Sequence, residues 1–585
     1  MDRRTRRPDL QKPVIVPFTP CPLCPFALSP FTFPEPAIIH HTPKKPPNPE
    51  KMNIAQALTE QANAQPDTTA LIIPVKRTRN GWKDRRYSYR ELDELSNHLA
   101  AGLAAEGIAP GTRVAFMVPP SLEFFALFFG LFKAGCVPVL IDPGIGLKPL
   151  KTCLAEAEPE VFIGITKAQI ARLVLGWARG TINKTITVGP RPLWIGRRYT
   201  SLRSASLDGF IPPIVKPDDP AAILFTSGST GIPKGVVYRH RHFAAQVDLV
   251  RDTYAMEPGE VDLPTFPPFA LFDPALGMTT VIPPMDFTRP AKVDPAMLVS
   301  LIREYDVTNL FGSPALMNTL TRHLEAEGIR LPGLKRVLSA GAPVHPKVIE
   351  RIHRALDDRA DIHTPYGATE CLPVATVAGR ELIGNLSDGN RQGRGICVGK
   401  PLTANQVRVI RITDDPIGLA EHASDVSPGS IGEICVQGPT VTDQYFNREA
   451  QTRAAKMADG QGRVWHRMGD LGWLDEDGRL WYCGRKSERV QTENGELYTE
   501  CVEGPVNAIN GVYRSALVGL GQPGAQTPVI VIEPEPGIHP SELTEAVKTA
   551  VQPHGITRVE SLPAFPVDIR HNAKIRRQQI ASQFE

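Results

Sequence analysis

Ten residues, Thr226 to Gly235, read Thr-Ser-Gly-Ser-Thr-Gly-Ile-Pro-Lys-Gly. Gly228 and Gly231 let backbone N–H groups approach an anion closely. The hydroxyls of Thr226, Ser227, Ser229 and Thr230 supply further hydrogen bonds, and Lys234 adds a point charge. This is equipment for holding the phosphates of a nucleotide. Pro233 stands where the P-loop pattern of kinases and GTPases needs a glycine before its lysine, so that class of loop is excluded. Downstream, His363 to Glu370 reads His-Thr-Pro-Tyr-Gly-Ala-Thr-Glu. Tyr366 offers an aromatic face to a flat base, Thr369 a hydroxyl to a phosphate, and Glu370 a hard oxygen to Mg²⁺. The same residues also suit the capped first turn of a helix. Gly341, Ala342 and Pro343 make a small-residue turn with room for a base against the backbone. Asp470 is a lone carboxylate able to accept from both hydroxyls of a ribose, or a solvated acid in a turn.

The elements that must hold these residues follow from pattern. Ala221 to Phe225 is a short apolar run before the loop, and Val236-Val237 resumes apolar character after it, so the loop joins two buried strands. Between residues 52 and 220, strands at 111–118 and 137–141 alternate with helical spacing at 53–62 and 87–103. Such alternation predicts parallel sheets covered by helices. Phe124 to Phe132 is the most apolar run; it is too short to span a bilayer and reads as a core helix. Asp475 to Arg485 reads as a hairpin turning at Asp477-Gly478. Gly519 to Gly524 satisfies G-x-G-x-x-G, but the apolar strand that follows replaces the helix a dinucleotide site requires. Thr265 to Pro274 is strongly apolar, which suits a pocket for a hydrocarbon chain and suits core packing about equally. Asp273, a carboxylate in that company, is a candidate to face a substrate.

In order and spacing, these motifs resemble those of the adenylate-forming enzymes, which include acyl-CoA synthetases, luciferases and peptide-synthetase adenylation domains. The resemblance spans residues 52–585 and implies an α/β fold. A large N-terminal domain of several subdomains with parallel and mixed sheets (52–484) would be followed by a small mobile α+β lid (485–585). It implies ATP and Mg²⁺, with Gly367 completing the Tyr366 motif and Arg485 as a second ribose-side contact. Lys574 matches the terminal catalytic lysine, and Ser487 stands at the hinge between the domains. Thr226, Glu370 and Lys574 are then the catalytic set. Two departures bear on the acceptor: the hinge segment 486–503 lacks the usual Gly-x-x-Ile-x-Pro-x-Glu pattern, and Val237 to Phe243 carries an unusual Arg-His-Arg-His. With the ending Pro566 to Ile575, they are similar to the β-lactone-forming branch of bacterial long-chain olefin biosynthesis. That branch implies a long-chain 2-alkyl-3-hydroxy acid substrate whose own hydroxyl closes the ring. It also implies a reductase and a β-lactone decarboxylase as partners. His240, His242 and Asp273 are candidate bases for that hydroxyl, with structural roles equally open to each. A long-chain fatty acyl-CoA synthetase or acyl-AMP ligase shares the adenylation motifs. A non-catalytic nucleotide-binding scaffold would be expected to lack Glu370 or Lys574.

The totals agree with a large enzyme. The 585 residues carry a net charge of +3, and residues 1–51 hold eight Lys/Arg against four Asp/Glu. The remainder is therefore near −1, which gives no electrostatic footprint for nucleic acid. Residues 1–51 contain thirteen of the 57 prolines, lack helical periodicity and read as a disordered extension. The expectation is that the natural start is Met52. Cys21 and Cys24 have no second Cys/His pair nearby, so zinc is not expected. Nine cysteines at wide spacing suggest reduced thiols and a cytoplasmic enzyme without a transmembrane segment.

Overall fold

The computed structural model describes residues 53–190, 196–226, 233–567 and 575–585. The Pro-rich extension and Lys574 lie outside the described residues, as do Ser227, Gly228, Ser229, Thr230 and Gly231.

Among the described residues two seven-stranded sheets carry most of the N-terminal half. In the first, strands Lys184–Val188, Val161–Ile165, Arg113–Met117, Val137–Leu140 and Pro220–Phe225 run parallel, and Gly235–Arg239 returns antiparallel beside the last. The second runs parallel from Asp361–His363 through Arg336–Leu338, Asn309–Phe311, Val261–Pro264 and Thr279–Val281 to Thr69–Thr78, closed by antiparallel Gly81–Ser88. Strand–helix–strand alternation thus yields parallel sheets, as expected. A third, antiparallel sheet holds Tyr366–Ala368, Cys371–Thr376, Ile396–Pro401, Leu480–Arg485, Val464–Leu474, Gly432–Gln437 and Gln406–Ile410.

Two helices show how the sequence commits to these layers. Leu122–Lys133 starts where Ser121 Oγ accepts from Phe124 N, and every residue along it except Glu123 is buried. A helix apolar on all sides has no solvent face to offer, so it sits inside the core. Its terminal Lys133 is neutralised there by Asp93 at 2.6 Å and hydrogen-bonded to Asn97. Tyr89–Ala105, capped by a Ser88/Glu91 capping box, packs against it.

The hairpin at Asp477-Gly478 forms as read, with Asp475 N donating to Arg479 O and Gly478 at φ +74°. The Tyr366 motif is also a hairpin, not a helix start: Tyr366–Ala368 turns into Cys371–Thr376. A Cβ on Gly367 would stand 2.6 Å from the Cys371 carbonyl, so the turn itself requires glycine. Gly519 to Gly524 begins at the end of strand Val512–Leu520 and runs into the turn before Thr527–Pro534, and the two strands pair antiparallel. Arg558–Ser561 adds a parallel third strand, and helices Thr499–Asn507 and Thr544–Val551 bury Val502, Val506 and Val547 against this sheet.

Candidate functional site

The ends of the strands in all three large sheets meet around one cleft of about 2230 Å³. Thr226 terminates Pro220–Phe225, where its N–H donates to the Lys234 carbonyl at 3.0 Å and its Oγ1 accepts from Lys234 N at 3.2 Å. These two bonds close the neck of the Gly/Ser/Thr loop. Lys234 Nζ rests 4.8 Å from the centre of the Tyr445 ring. Tyr445 Oη in turn donates to Glu370 Oε1 at 2.5 Å. The Glu370 carbonyl accepts from both the N–H and the hydroxyl of Thr442. Behind it, Lys456 Nζ reaches Thr442 Oγ1 at 3.3 Å, its pKa lowered to about 8 by burial against the opposing pull of Glu370. His466, in the cleft wall, donates from Nδ1 to the Ala455 carbonyl at 3.1 Å. Burial and the nearby Lys456 hold its pKa well below the ordinary imidazole value. Glu370 is therefore fixed through one carboxylate oxygen while its side chain borders the cleft.

A second cluster forms the adjoining wall. Tyr366 Oη donates to Asp470 Oδ2 at 2.7 Å. Arg485 stands 2.8 Å from Asp470 Oδ1 without the alignment of a hydrogen bond, so that buried oxygen has no hydrogen-bond donor. Burial raises the pKa of the Asp470 carboxyl, and Arg485 opposes the rise. That oxygen is held by the Arg485 charge rather than by an aligned hydrogen bond, and a ribose hydroxyl would fit it as a donor. Gly341, at φ +95°, turns the chain after strand Arg336–Leu338, and Gly341, Ala342 and Pro343 border the same cleft as Tyr366. Tyr238 Oη donates to the Thr369 carbonyl at 2.6 Å, tying the first sheet to the Glu370 turn. For Mg²⁺ the described residues offer one carboxylate here rather than a cluster of three or more ligands. A single carboxylate completed by substrate phosphates is a usual protein share of a Mg²⁺ shell, so the donor set fits.

Three residues singled out in the sequence are elsewhere. His240 is buried beside Phe132, ring centres 5.8 Å apart, with Nδ1 unpartnered and its pKa pushed down to about 4 by burial. His242 Nδ1 accepts from Arg239 N at 3.0 Å, and burial with the Arg241 charge pushes its pKa to about 3. Arg239 and Arg241 both bind Asp443, at 2.5 and 2.7 Å, so the Arg-His-Arg-His stretch here ties a strand end to a neighbouring loop. Asp273 opens the short helix Asp273–Leu276 with its side chain in the core, where Oδ2 accepts from Thr280 Oγ1 at 3.0 Å. Its carboxyl shares a hydrogen bond with that of Asp262. Burial raises both carboxyls, Asp262 to about 7 and Asp273 well above its usual range. None of the three borders the cleft, although the aromatic residues around Asp273 do. Ser487 borders it from the short turn Lys486–Glu488, between strands Leu480–Arg485 and Val490–Thr492.

Tyr445, Lys456, Thr442 and Tyr238 were not evident in the sequence. Tyr445 is 75 residues from the carboxylate it holds, and no local spacing signals that contact.

The model of the AMP-binding enzyme family matches residues 58–446. The chain is 52% identical over 546 residues to the olefin beta-lactone synthetase of Stenotrophomonas maltophilia, covering 90% of this chain and 97% of the relative. It is 51% identical to the olefin beta-lactone synthetase of Xanthomonas campestris pv. campestris, with the same shares covered. Its fold is similar to that of the amide bond synthetase McbA from Marinactinospora thermotolerans, with a TM-score of 0.73 at 22% identity over 91% of this chain and 99% of that one. Sequence and fold agree: the chain belongs to the AMP-binding enzyme family and is an AMP-forming ligase.

Proposed function

We propose that the protein joins ATP to a long-chain 2-alkyl-3-hydroxy acid and closes the product to a β-lactone. The observation that carries this reading is the identity of about half of all residues with olefin beta-lactone synthetases, sustained over 90% of the chain. In the first step the substrate carboxylate attacks the α-phosphate of ATP, forming the acyl-adenylate and releasing pyrophosphate. Two anions must meet, so cations are needed. We assign the β- and γ-phosphates to the loop from Ser227 to Gly231 with Lys234, and Lys574 to the α-phosphate. Glu370 would hold Mg²⁺, which offsets phosphate charge when bound. Tyr366 and the turn Gly341 to Pro343 would flank adenine, and Asp470, steadied by Arg485, would accept from the ribose hydroxyls. In the second step the 3-hydroxyl oxygen bonds to the acyl carbon, AMP leaves, and the hydroxyl proton is released. A tethered nucleophile needs no second substrate site. Residues 485–585 are proposed to act as a lid pivoting near Ser487, excluding water from the adenylate.

The wall on the side of the proposed lid is closed by ion pairs among the residues that border the cleft. Glu488, Glu500 and Glu503 border the cleft there, and Arg577 is already bound to Glu488 at 2.9 Å and Glu503 at 2.8 Å. Glu500 has its pKa pushed up to about 8 by burial and by the Glu503 charge.

Among the described residues no helix is long and apolar enough to cross a membrane. Among them seven cysteines are free and buried, in line with a cytoplasmic setting. A reductase supplying the hydroxy acid and a decarboxylase consuming the lactone are the proposed neighbours in the reaction sequence. Mass spectrometry of purified protein with ATP, Mg²⁺ and the hydroxy acid, with and without coenzyme A, tests the reading. A product lighter than the acid by one water, indifferent to coenzyme A, is expected. A thioester appearing only with coenzyme A would replace the proposal with an acyl-CoA ligase.

A further inference from the structure

Helix Thr166–Leu175, which packs on strands Val161–Ile165 and Lys184–Val188 of the first sheet, is turned inside out. Its polar side chains face the protein. Gln169 is fully buried and donates from Nε2 to the Ile186 carbonyl at 2.9 Å, and Arg172 lays its guanidinium over Phe162, 5.7 Å from the ring centre. The residues this helix exposes are Lys167, Ile170, Leu173 and Val174, the last three at 43%, 38% and 76%. Residues three and four apart share one face, so these form an outward apolar stripe. A helix lying against water carries the opposite pattern, with its charges outside and its apolar side chains within.

We infer that this face docks the protein on an anionic lipid bilayer, with Ile170, Leu173 and Val174 seated at the boundary between headgroups and acyl chains. Charge selects that occupant. Residues 161–207 hold eight Lys/Arg and no Asp/Glu. Lys167 stands on the face itself, and Arg179 reaches back to the Leu173 carbonyl at 3.5 Å. Lys148 and Lys151 are exposed on helix Leu147–Ala157, which covers the same core cluster. Of the acids just before the run, Glu156 and Glu160 are bound by Arg448 and Arg113, leaving Glu158. A second copy of so basic a surface is repelled, whereas anionic headgroups are attracted, on the order of fivefold per cation. The face begins at the cleft, which Lys167, Ala168 and Leu147 border. A bilayer held there stands beside the entrance, and a water-insoluble chain reaches the cleft directly from lipid. That consequence, unlike the docking, rests on the long-chain reading above.

The test is flotation of the full-length protein with vesicles of phosphatidylcholine alone and of phosphatidylcholine mixed with phosphatidylglycerol. The wild type should float with the mixed vesicles, less so as salt is raised, and not with the neutral ones. Leu173→Glu combined with Val174→Glu should weaken that binding by at least about tenfold. Arg179→Glu should weaken it on the order of fivefold and flatten its salt dependence, and it decides the matter where the double variant does not fold. Pyrophosphate release with a short, water-soluble acid should be unchanged in these variants, since none of the three residues borders the cleft. Failure to float, equal flotation with neutral vesicles, or undiminished flotation of the variants overturns the inference. So does a wild-type dimer that the double variant dissolves without any flotation, which gives the face to a second copy. Flotation as expected by a protein that adenylates no long-chain acid would overturn the substrate reading and leave the docking surface standing.

Discussion

The wall proposed for the nucleotide and the seam behind the wall proposed for the acyl chain are both built from acids, but they partner them differently. Along the nucleotide wall each acid is held through part of its surface: Glu370 by the Tyr445 hydroxyl, Asp470 by Tyr366 with Arg485 alongside. Asp470 keeps a buried oxygen that no protein donor satisfies. In the seam, Asp262 and Asp273 face each other away from the cleft, and burial favours their protonated forms. His240 and His242 are likewise turned inward, their rings driven neutral by burial. The difference teaches that a buried polar residue in an active-site motif is free to serve a ligand when the atom its partners leave over lies on the cleft, and serves the fold when it is turned into the core, as the unpartnered Nδ1 of His240 is.

Substitutions along the two regions test that contrast. The largest effect is expected from Glu370→Gln, which keeps the shape of the side chain but removes the charge offered to Mg²⁺. Pyrophosphate release should fall by roughly 10²- to 10³-fold, with the melting temperature nearly unchanged. A fall in Tm matching the loss of activity would mean that Glu370 is a folding residue, and the contrast would break. Next is Asp470→Asn. Charged hydrogen bonds are worth about 1.5–3 kcal/mol, so the KM for ATP should rise roughly tenfold to a hundredfold, read by steady-state kinetics over a range of ATP.

The seam should respond in stability and its pH dependence rather than in catalysis. A carboxyl whose pKa is raised by folding contributes stability that is complete below its unfolded value near 4 and is lost as pH rises through its folded value. For Asp262 that folded value is about 7. The wild-type Tm should therefore decline between about pH 4 and 7, by about 1–2 °C per pH unit, and the contribution of Asp262 should level off above that. Asp273→Asn should flatten the decline and leave kcat within about threefold. The smallest effect is expected from His240→Leu, which removes a buried nitrogen without a partner. Activity should stay within about threefold, and Tm should hold or rise. A tenfold loss of kcat with Tm unchanged would return His240 to the list of bases.

What the sequence made legible was local. Alternating strands and helices, the buried Phe-rich helix Leu122–Lys133 and the Asp477-Gly478 hairpin each follow from periodicity or turn chemistry within a dozen residues, and each forms. The Glu370 and Asp470 motifs are legible because their short stretches resemble family motifs in order and spacing. Tyr445, Lys456 and Tyr238 stayed hidden because their roles depend on contacts across distant stretches of chain, and a tyrosine or lysine in isolation carries no sign of its partner. The same limit left the reading of His240, His242 and Asp273 open between base and structural role. Their chemistry is visible in one dimension, but the direction of a side chain, toward cleft or core, is set by packing. Gly367 shows the opposite case, since a residue carried over as part of a nucleotide motif is also demanded by the turn that presents Glu370's neighbours.

The central claim is that the carboxylate is activated and the hydroxyl closes the ring. Isotope tracing tests it most directly, using the 2-alkyl-3-hydroxy acid with ¹⁸O in both carboxylate oxygens and ordinary oxygen in the 3-hydroxyl. Attack through the carboxylate places one label in AMP and leaves one in the lactone, whose ring oxygen comes from the hydroxyl, and that is the expected result. A lactone retaining both labels beside unlabelled AMP would mean that the hydroxyl had been activated and displaced, and it would contradict the account.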